Sequence, residues 1–431
     1  MKSFFRNKAT WGWWFYDWAN SAFALTALAL FFPIFFKTYW NSGVDPTIST
    51  ARLGIGHLIA GLCIACLSPF LGAMAGISFG KKRMLAGMLL LGIFSVALLF
   101  FVPSHRWLTA LTLFLLARMG FALGNLFYDS LLPDISRPKD HDMISSFGYG
   151  LGYLGCGILG IVNVMMVLHP QQFGIDSKAQ AVKLAFLSVA LWWGVFSLPL
   201  FLWVREKKNR ATGSKRLFRR SLRSMVQTGR EIAHTPQLLL FLVAFWLYHD
   251  GVHAFVMMAT DFGLSIGIPD SGLMTALLLV QFIAFPAAIL FGYVADRIGA
   301  KNTILIAIGI YTLVCLVGAF ILQTQLQFFI LAGLTGSAQG AIQALSRSMF
   351  TAMIPEEKSS DYFGFYNLVG RFSVVLGPGL VGMMGLLGRQ LGFESVAAAR
   401  FGIASLAILF ISGGLLLLRV RPCAEPAGEV C

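Results

Sequence analysis

The chain has 431 residues, of which 57% are hydrophobic and only 12% charged, about half the charged share of a soluble globular protein, which places it in a membrane. Its formal net charge of +14 invites a nucleic-acid role, but the placement of the basic residues, taken up below, argues against one.

In chain order, a short basic stretch ends at Lys8 and an apolar run follows at 13–36. That run is too long for a signal peptide, contains Asp17 and lacks a small-residue cleavage site, so it reads as an uncleaved first span. A charge at the bilayer centre costs roughly 2.5–3.5 kcal/mol on insertion scales, so Asp17 is expected to face protein or water. Asp17, Asn20 and Ser21 stand at i, i+3 and i+4 and share one helix face.

A span needs about 20 mostly apolar residues. Eleven further runs meet that criterion, at 53–78, 84–102, 107–130, 144–168, 184–204, 237–259, 272–293, 303–322, 327–350, 363–387 and 397–418. They are too long and too uniformly apolar for barrel strands, so the fold class is all-α integral membrane, with twelve helices in two bundles of six.

With the N-terminus placed in the cytoplasm, 24 of the 33 Lys and Arg fall on the cytoplasmic side and seven on the other, while Arg118 and Arg371 lie within spans. This is the positive-inside bias, and an even number of spans returns the C-terminus to the same side. Topology thus accounts for the basic residues, and no nucleic-acid partner is expected. The longest polar interval, 205–236, is a basic linker that also meets anionic headgroups. The expected domains are an N-terminal bundle at 1–204, this linker, a C-terminal bundle at 237–418 and a tail at 419–431.

The two halves resemble each other weakly. Tyr16 through Ala22-Phe23 opens the first, and Tyr248 through Ala254-Phe255 opens the second at the same spacing, with His249 in the place of Asp17 and Asp250 in that of Trp18. Gly80-Lys81-Lys82 follows span two, as Gly299-Ala300-Lys301 follows span eight. Phe147-Gly148 opens span five, as Phe363-Gly364 opens span eleven. The shared order points to an internal repeat, a common way of building transporters.

Polar residues inside the spans carry the functional signal. In span four, Arg118, Asn125 and Asp129 lie within about 40° of one another on a 3.6-residue helix. Span seven carries His249, Asp250 and His253. Span ten carries Gln339 and Gln343, followed by Ser346-Arg347, and span eleven carries Asn367 and Arg371. The faces on spans one, four, seven and ten are those that a cavity at the axis of a repeated three-helix unit requires, and span eleven adds to them. Asp17 serves in transport or as a structural partner. Arg118 binds an anionic group or neutralises a carboxylate. Asp129, near a helix end, suits structure or gating, and Asp250 is the better proton carrier. Histidine titrates near neutrality, yet His249 and His253 also read as ordinary hydrogen-bonded lining residues, and His57 as a structural one.

Glycines crowd span five from Gly148 to Gly160, and Gly377-Pro378-Gly379 interrupts span eleven, which permits close packing and bending. The six cysteines include Cys63-x-x-Cys66, with no second ligand pair, and read as small hydrophobes. The chain carries no Walker loop and no G-x-S-x-G, so neither catalysis nor ATP-driven pumping is expected, and no cofactor or metal site.

Gly292-x3-Asp296-Arg297-x-Gly299-x-Lys301 resembles the cytoplasmic signature loop of the major facilitator superfamily. Tyr16-Asp17-Trp18-Ala19-Asn20-Ser21-Ala22-Phe23, Leu132-Pro133-Asp134-Ile135, Gln343-Ala344-Leu345-Ser346-Arg347-Ser348 and Phe363-Gly364-Phe365-Tyr366-Asn367-Leu368 are similar to its vacuole-effluxer branch, relatives of autophagy-related protein 22. The resemblance implies two bundles with alternating access, and the eukaryotic relatives are associated with amino-acid export from the vacuole. It also assigns gating to the loop of Gly292, Asp296, Arg297, Gly299 and Lys301. The corresponding loop after span two departs from the pattern, because Gly76 stands where Asp is expected. Asp129 stands where relatives often carry an amide.

Together these features predict a monomeric secondary transporter of the plasma membrane, the bacterial inner membrane. It moves a small polar solute, with an amino acid as the leading guess, and protons as the coupling ion. A non-transporting receptor or assembly factor on the same fold is the alternative, and a lipid-modifying membrane enzyme a more distant one.

Overall fold

The computed structural model describes residues 3–44, 46–206, 217–265, 270–372 and 376–421, and among these there is helix and no strand. The helices are α1 (Lys8–Trp40), α2 (Pro46–Met74), α3 (Lys81–Leu98), α4 (Trp107–Ser130), α5 (His141–Leu168), α6 (Lys178–Trp203) and α7 (Leu217–His234). After them come α8 (Pro236–Ser265), α9 (Asp270–Ile298), α10 (Ala300–Phe320), α11 (Gln325–Ala352), α12 (Ser359–Phe372), α13 (Leu376–Gln390) and α14 (Ser395–Arg419).

Among the described residues, 11 helices are long and apolar enough to cross a membrane. They coincide with the expected runs other than 363–387. That run is represented by α12 and α13, and its residues 373–375 lie outside the described residues, as does the side chain of Arg371.

The chain packs as two units. Unit 1 comprises Met1–Ser136, Leu151–Met225 and Glu357–Phe365; unit 2 comprises Arg137–Gly150, Val226–Glu356 and Tyr366–Cys431. α5 therefore begins in unit 2 and ends in unit 1, and α12 begins in unit 1 and ends in unit 2.

In lipid, apolar faces gain little by meeting each other, so shape and polar pairing must hold helices together. In unit 1, α3 packs most closely on α4 and α1 on α6. Gly120 makes the first contact possible, since a Cβ there would come within 2.6 Å of the backbone N of Gly92. Trp13, Trp14, Trp40 and Trp193 are fully buried in this unit. α1 widens past its middle: the N–H of Phe32 bonds to the carbonyl of Ala27, five residues back, as in a π-helix.

In unit 2, α9 packs on α11 and α8 on α14. Phe262, Val314, Leu322, Leu331 and Ile403 form an apolar cluster there. Beside it lies a cavity of about 110 Å³, lined by Phe255, Leu273, Phe328 and others and bearing Gln281, Thr335 and Gln339 as its polar groups.

The internal repeat is visible at equivalent turns of the two units. Gly80 and Gly299 both have positive φ, 78° and 86°, and each opens a helix, α3 and α10. Shortly after, Lys82 donates to the carbonyls of Phe201 and Val204 at the end of α6. Lys301 donates to those of Leu418 and Val420 at the end of α14. A cation at a helix C-terminus satisfies orphan carbonyls and meets the negative end of the helix dipole.

Candidate functional site

The polar face of α1 folds against α4. Tyr128 donates to the buried Asp17 carboxylate at 2.8 Å, and the indole of Trp13 donates to the Tyr128 carbonyl at 3.0 Å. The Tyr128 ring stacks on both Trp13 and Tyr16, at centroid distances of 4.4 and 4.8 Å. The hydroxyl that bonds Asp17 is thus held by a ring that two aromatic neighbours fix in place.

One turn deeper, the amide of Asn20 donates to that of Asn125 at 2.6 Å, and Ser21 lies 3.5 Å from the Asn20 oxygen. Gly152 of α5 packs against this turn, since a Cβ there would fall 2.6 Å from the Ser21 hydroxyl. Farther along α4, Arg118 contacts the ring of His57 on α2 and donates to the His57 carbonyl at 3.5 Å. Of the expected polar faces of spans one and four, Asn20 and Asn125 are brought together, while Asp17 meets Tyr128 and Ser21 bonds within its own helix. Asp129 is half-buried at the end of α4.

In unit 2, Asp250 is fully buried and its Oδ2 accepts the backbone N–H groups of Leu376 and Gly377 at 3.0 Å each, while its Oδ1 has no partner among the described residues. His249 and His253 meet edge to face with ring centroids 4.5 Å apart, and His249 also packs on Phe245. Gln343 and Asn367 are half-buried, whereas Gln339 lines the apolar cavity.

The ends of the helices carry polar pairs that sequence reading did not find. Lys81 bonds Asp134 at 2.8 Å and the Ser130 carbonyl at 2.9 Å, with both charged side chains nearly buried. Arg347, which follows the polar face of span ten, is 2% exposed and donates to the Ser145 hydroxyl and carbonyl. Its guanidinium also lies over an aromatic face, 4.2 Å from the Tyr149 ring centroid. Next to it, Ser348 donates to Asp142 at 2.5 Å.

The loop after α9 is organised around glycine. Gly292 packs against Ser146, Gly299 turns the chain, Lys301 closes α14, and Asp296 and Arg297 are exposed. After α2, where the pattern lacks its carboxylate, a Cβ on Gly76 would lie 2.6 Å from Oδ1 of Asp361. Asp361 is buried and accepts from Ser224 of α7 at 2.6 Å. A carboxylate therefore occupies that place, but it comes from α12.

Residues 55–422 match the family model described as "Vacuole effluxer Atg22 like". The chain is 36% identical over 419 residues to the uncharacterized MFS-type transporter YxiO of Bacillus subtilis (strain 168), covering 97% of this chain and 95% of that one. It is 28% identical over 272 residues to autophagy-related protein 22-1 of Aspergillus fumigatus, covering 56% of this chain and 43% of that one. Among solved structures, the proton:xylose symporter XylE bound to 6-bromo-6-deoxy-D-glucose superposes with a TM-score of 0.73 at 12% identity, covering 96% of this chain and 94% of that one.

Proposed function

The chain belongs to the vacuole-effluxer, Atg22-like family of the major facilitator superfamily, and on that premise we propose that it carries an amino acid across the bacterial inner membrane by alternating access. It is a multi-pass membrane transporter of the major facilitator fold. The reading adds twelve spans, both termini in the cytoplasm, action as a monomer and coupling to protons.

The observation that supports the solute class is the polar wall of unit 1. A zwitterion needs an anion and a cation recognised along one path, with neutral hydrogen-bonding groups between them. The Asn20–Asn125 amide pair supplies the neutral groups. The carboxylate of Asp17 lies one helical turn to one side of it, and the guanidinium of Arg118 two turns along α4, roughly 10 Å at 1.5 Å per residue. In lipid such groups are costly, so a wall of this kind suits a pathway better than a scaffold.

Support for proton coupling comes from Asp250, a buried carboxylate with one oxygen engaged by backbone and the other without a partner among the described residues. An oxygen so placed can take a proton without first breaking a hydrogen bond.

The test is uptake into proteoliposomes of purified protein, with a panel of labelled amino acids and an imposed pH gradient. Flux of at least one amino acid, accelerated by the gradient, is the expected result. No flux for any member of the panel would remove the solute class, and flux indifferent to the gradient would remove the coupling.

A further inference from the structure

Among the described residues, α7 is the one strongly amphipathic helix outside the spans, and its faces are arranged unlike those of a helix on a soluble protein. Taking 100° per residue, the side turned to the protein carries Ser221, Ser224, Thr228 and Ile232, of which Ser221 and Thr228 are completely covered. That side is rich in hydroxyls. The apolar residues Leu222 and Val226, one turn apart, point away from the protein and are 42% and 46% exposed. Arg219, Arg223 and Arg230 are exposed in the same outer arc, within about 100° of Leu222 on the helical wheel.

We propose that this outer face of α7 is a binding surface for the anionic headgroup layer of the cytoplasmic leaflet. Three observations converge on that partner. The exposed charge on this face is positive, and the acidic residue of the helix, Glu231, is half-buried and accepts from Gln227. The apolar stripe sits beside the arginines, as in a helix lying at the boundary of headgroup and acyl chain. One residue, Thr235, separates the end of α7 from the start of α8, a membrane-crossing helix, so the carboxyl end of α7 lies at the membrane boundary.

The inner face gives this surface a consequence. Ser224 donates to Asp361, and Asp361 fills the space beside Gly76 at the end of the α2 chain segment. Anionic lipid holding the outer face of α7 holds Ser224 against Asp361 as well.

The test uses the whole protein in nanodiscs of phosphatidylcholine, with and without phosphatidylglycerol, and reads backbone hydrogen exchange along α7. A basic residue near an anionic surface contributes roughly a fivefold preference, so exchange over residues 219–230 slows by about tenfold or more when phosphatidylglycerol is present. The variant Arg219→Gln/Arg223→Gln/Arg230→Gln loses this difference while melting as wild type does in phosphatidylcholine. Equal exchange of the wild type in the two lipids overturns the proposal whether or not the variant folds. So does a lipid effect that survives the triple substitution, or one that inorganic phosphate reproduces in phosphatidylcholine alone.

Discussion

Asp250 caps Gly377: the carboxylate of α8 accepts the backbone N–H of the second residue of α13 at 3.0 Å, and that of Leu376 at the same distance. A helix start leaves N–H groups without partners and carries partial positive charge, so an anion from a neighbouring helix suits it. Gly377 permits the approach, because a Cβ there would come 3.0 Å from Asp250 Oδ1 and closer still to Ala254.

Replacing Asp250 by Asn separates the two jobs of this side chain. Asn caps helices about as well as Asp, so the melting temperature in detergent stays near that of wild type. Gradient-driven accumulation falls sharply, whereas counterflow exchange of labelled solute persists. Undiminished accumulation in Asp250→Asn would take the proton-carrier role away from this residue.

The amide pair of α1 and α4 predicts a change in solute affinity. Asn125→Ala removes the acceptor of the 2.6 Å bond from Asn20. Hydrogen bonds contribute about 0.5–1.5 kcal/mol each, so loss of one or two to the solute raises KM about tenfold. Tyr128→Phe instead removes one hydrogen bond to Asp17 and lowers stability by about 1 kcal/mol, with a smaller effect on KM. Initial-rate uptake and thermal melting distinguish the two, and an unchanged KM in Asn125→Ala would place the solute elsewhere.

The Lys81–Asp134 pair is nearly buried, at 10% and 2% side-chain exposure. Removing one partner of such a pair costs about 3–5 kcal/mol. Lys81→Met is therefore strongly destabilising, and Lys81→Met/Asp134→Leu recovers much of the loss. Melting curves of the three proteins in one detergent check this; a double variant as unstable as the single one would show that burial of Asp134 is not the cause.

Restoring the carboxylate that the loop after span two lacks should harm the protein. Gly76→Asp sets a second carboxylate beside Asp361, with steric overlap added to like-charge repulsion, and lowers stability by about 1–3 kcal/mol. Gly76→Asp/Asp361→Gly returns the charge count to one and recovers most of that loss. Failure of the second substitution to help, seen by the same melting assay, would mean that Asp361 does not stand in for the missing group.

The spans were legible because length and apolarity decide them, and the face shared by Asp17, Asn20 and Ser21 because helix geometry is local. Partners were not. Tyr128 reads as one more aromatic in an apolar run, and only the register of α1 on α4 turns its hydroxyl to Asp17. Lys81 and Asp134 both read as loop residues at a membrane boundary, 53 positions apart, and nothing local marks their pairing. His57 looked solitary because its neighbour Arg118 lies on another helix. Gly76 was legible as a departure from pattern, but its compensation by Asp361 depends on where α12 comes to lie.

The lysines that close α6 and α14 also set a timetable for biogenesis. Lys82 leaves the ribosome 122 residues before its acceptor Val204, and Lys301 119 residues before Val420. At translation rates of about 5–20 residues per second, each ammonium waits roughly ten seconds for its acceptors to be made. During that interval α3 and α10 each carry a cationic end whose carbonyl acceptors have not yet been made. A protein cut before Val420 would leave Lys301 with the carbonyl of Leu418 and without that of Val420.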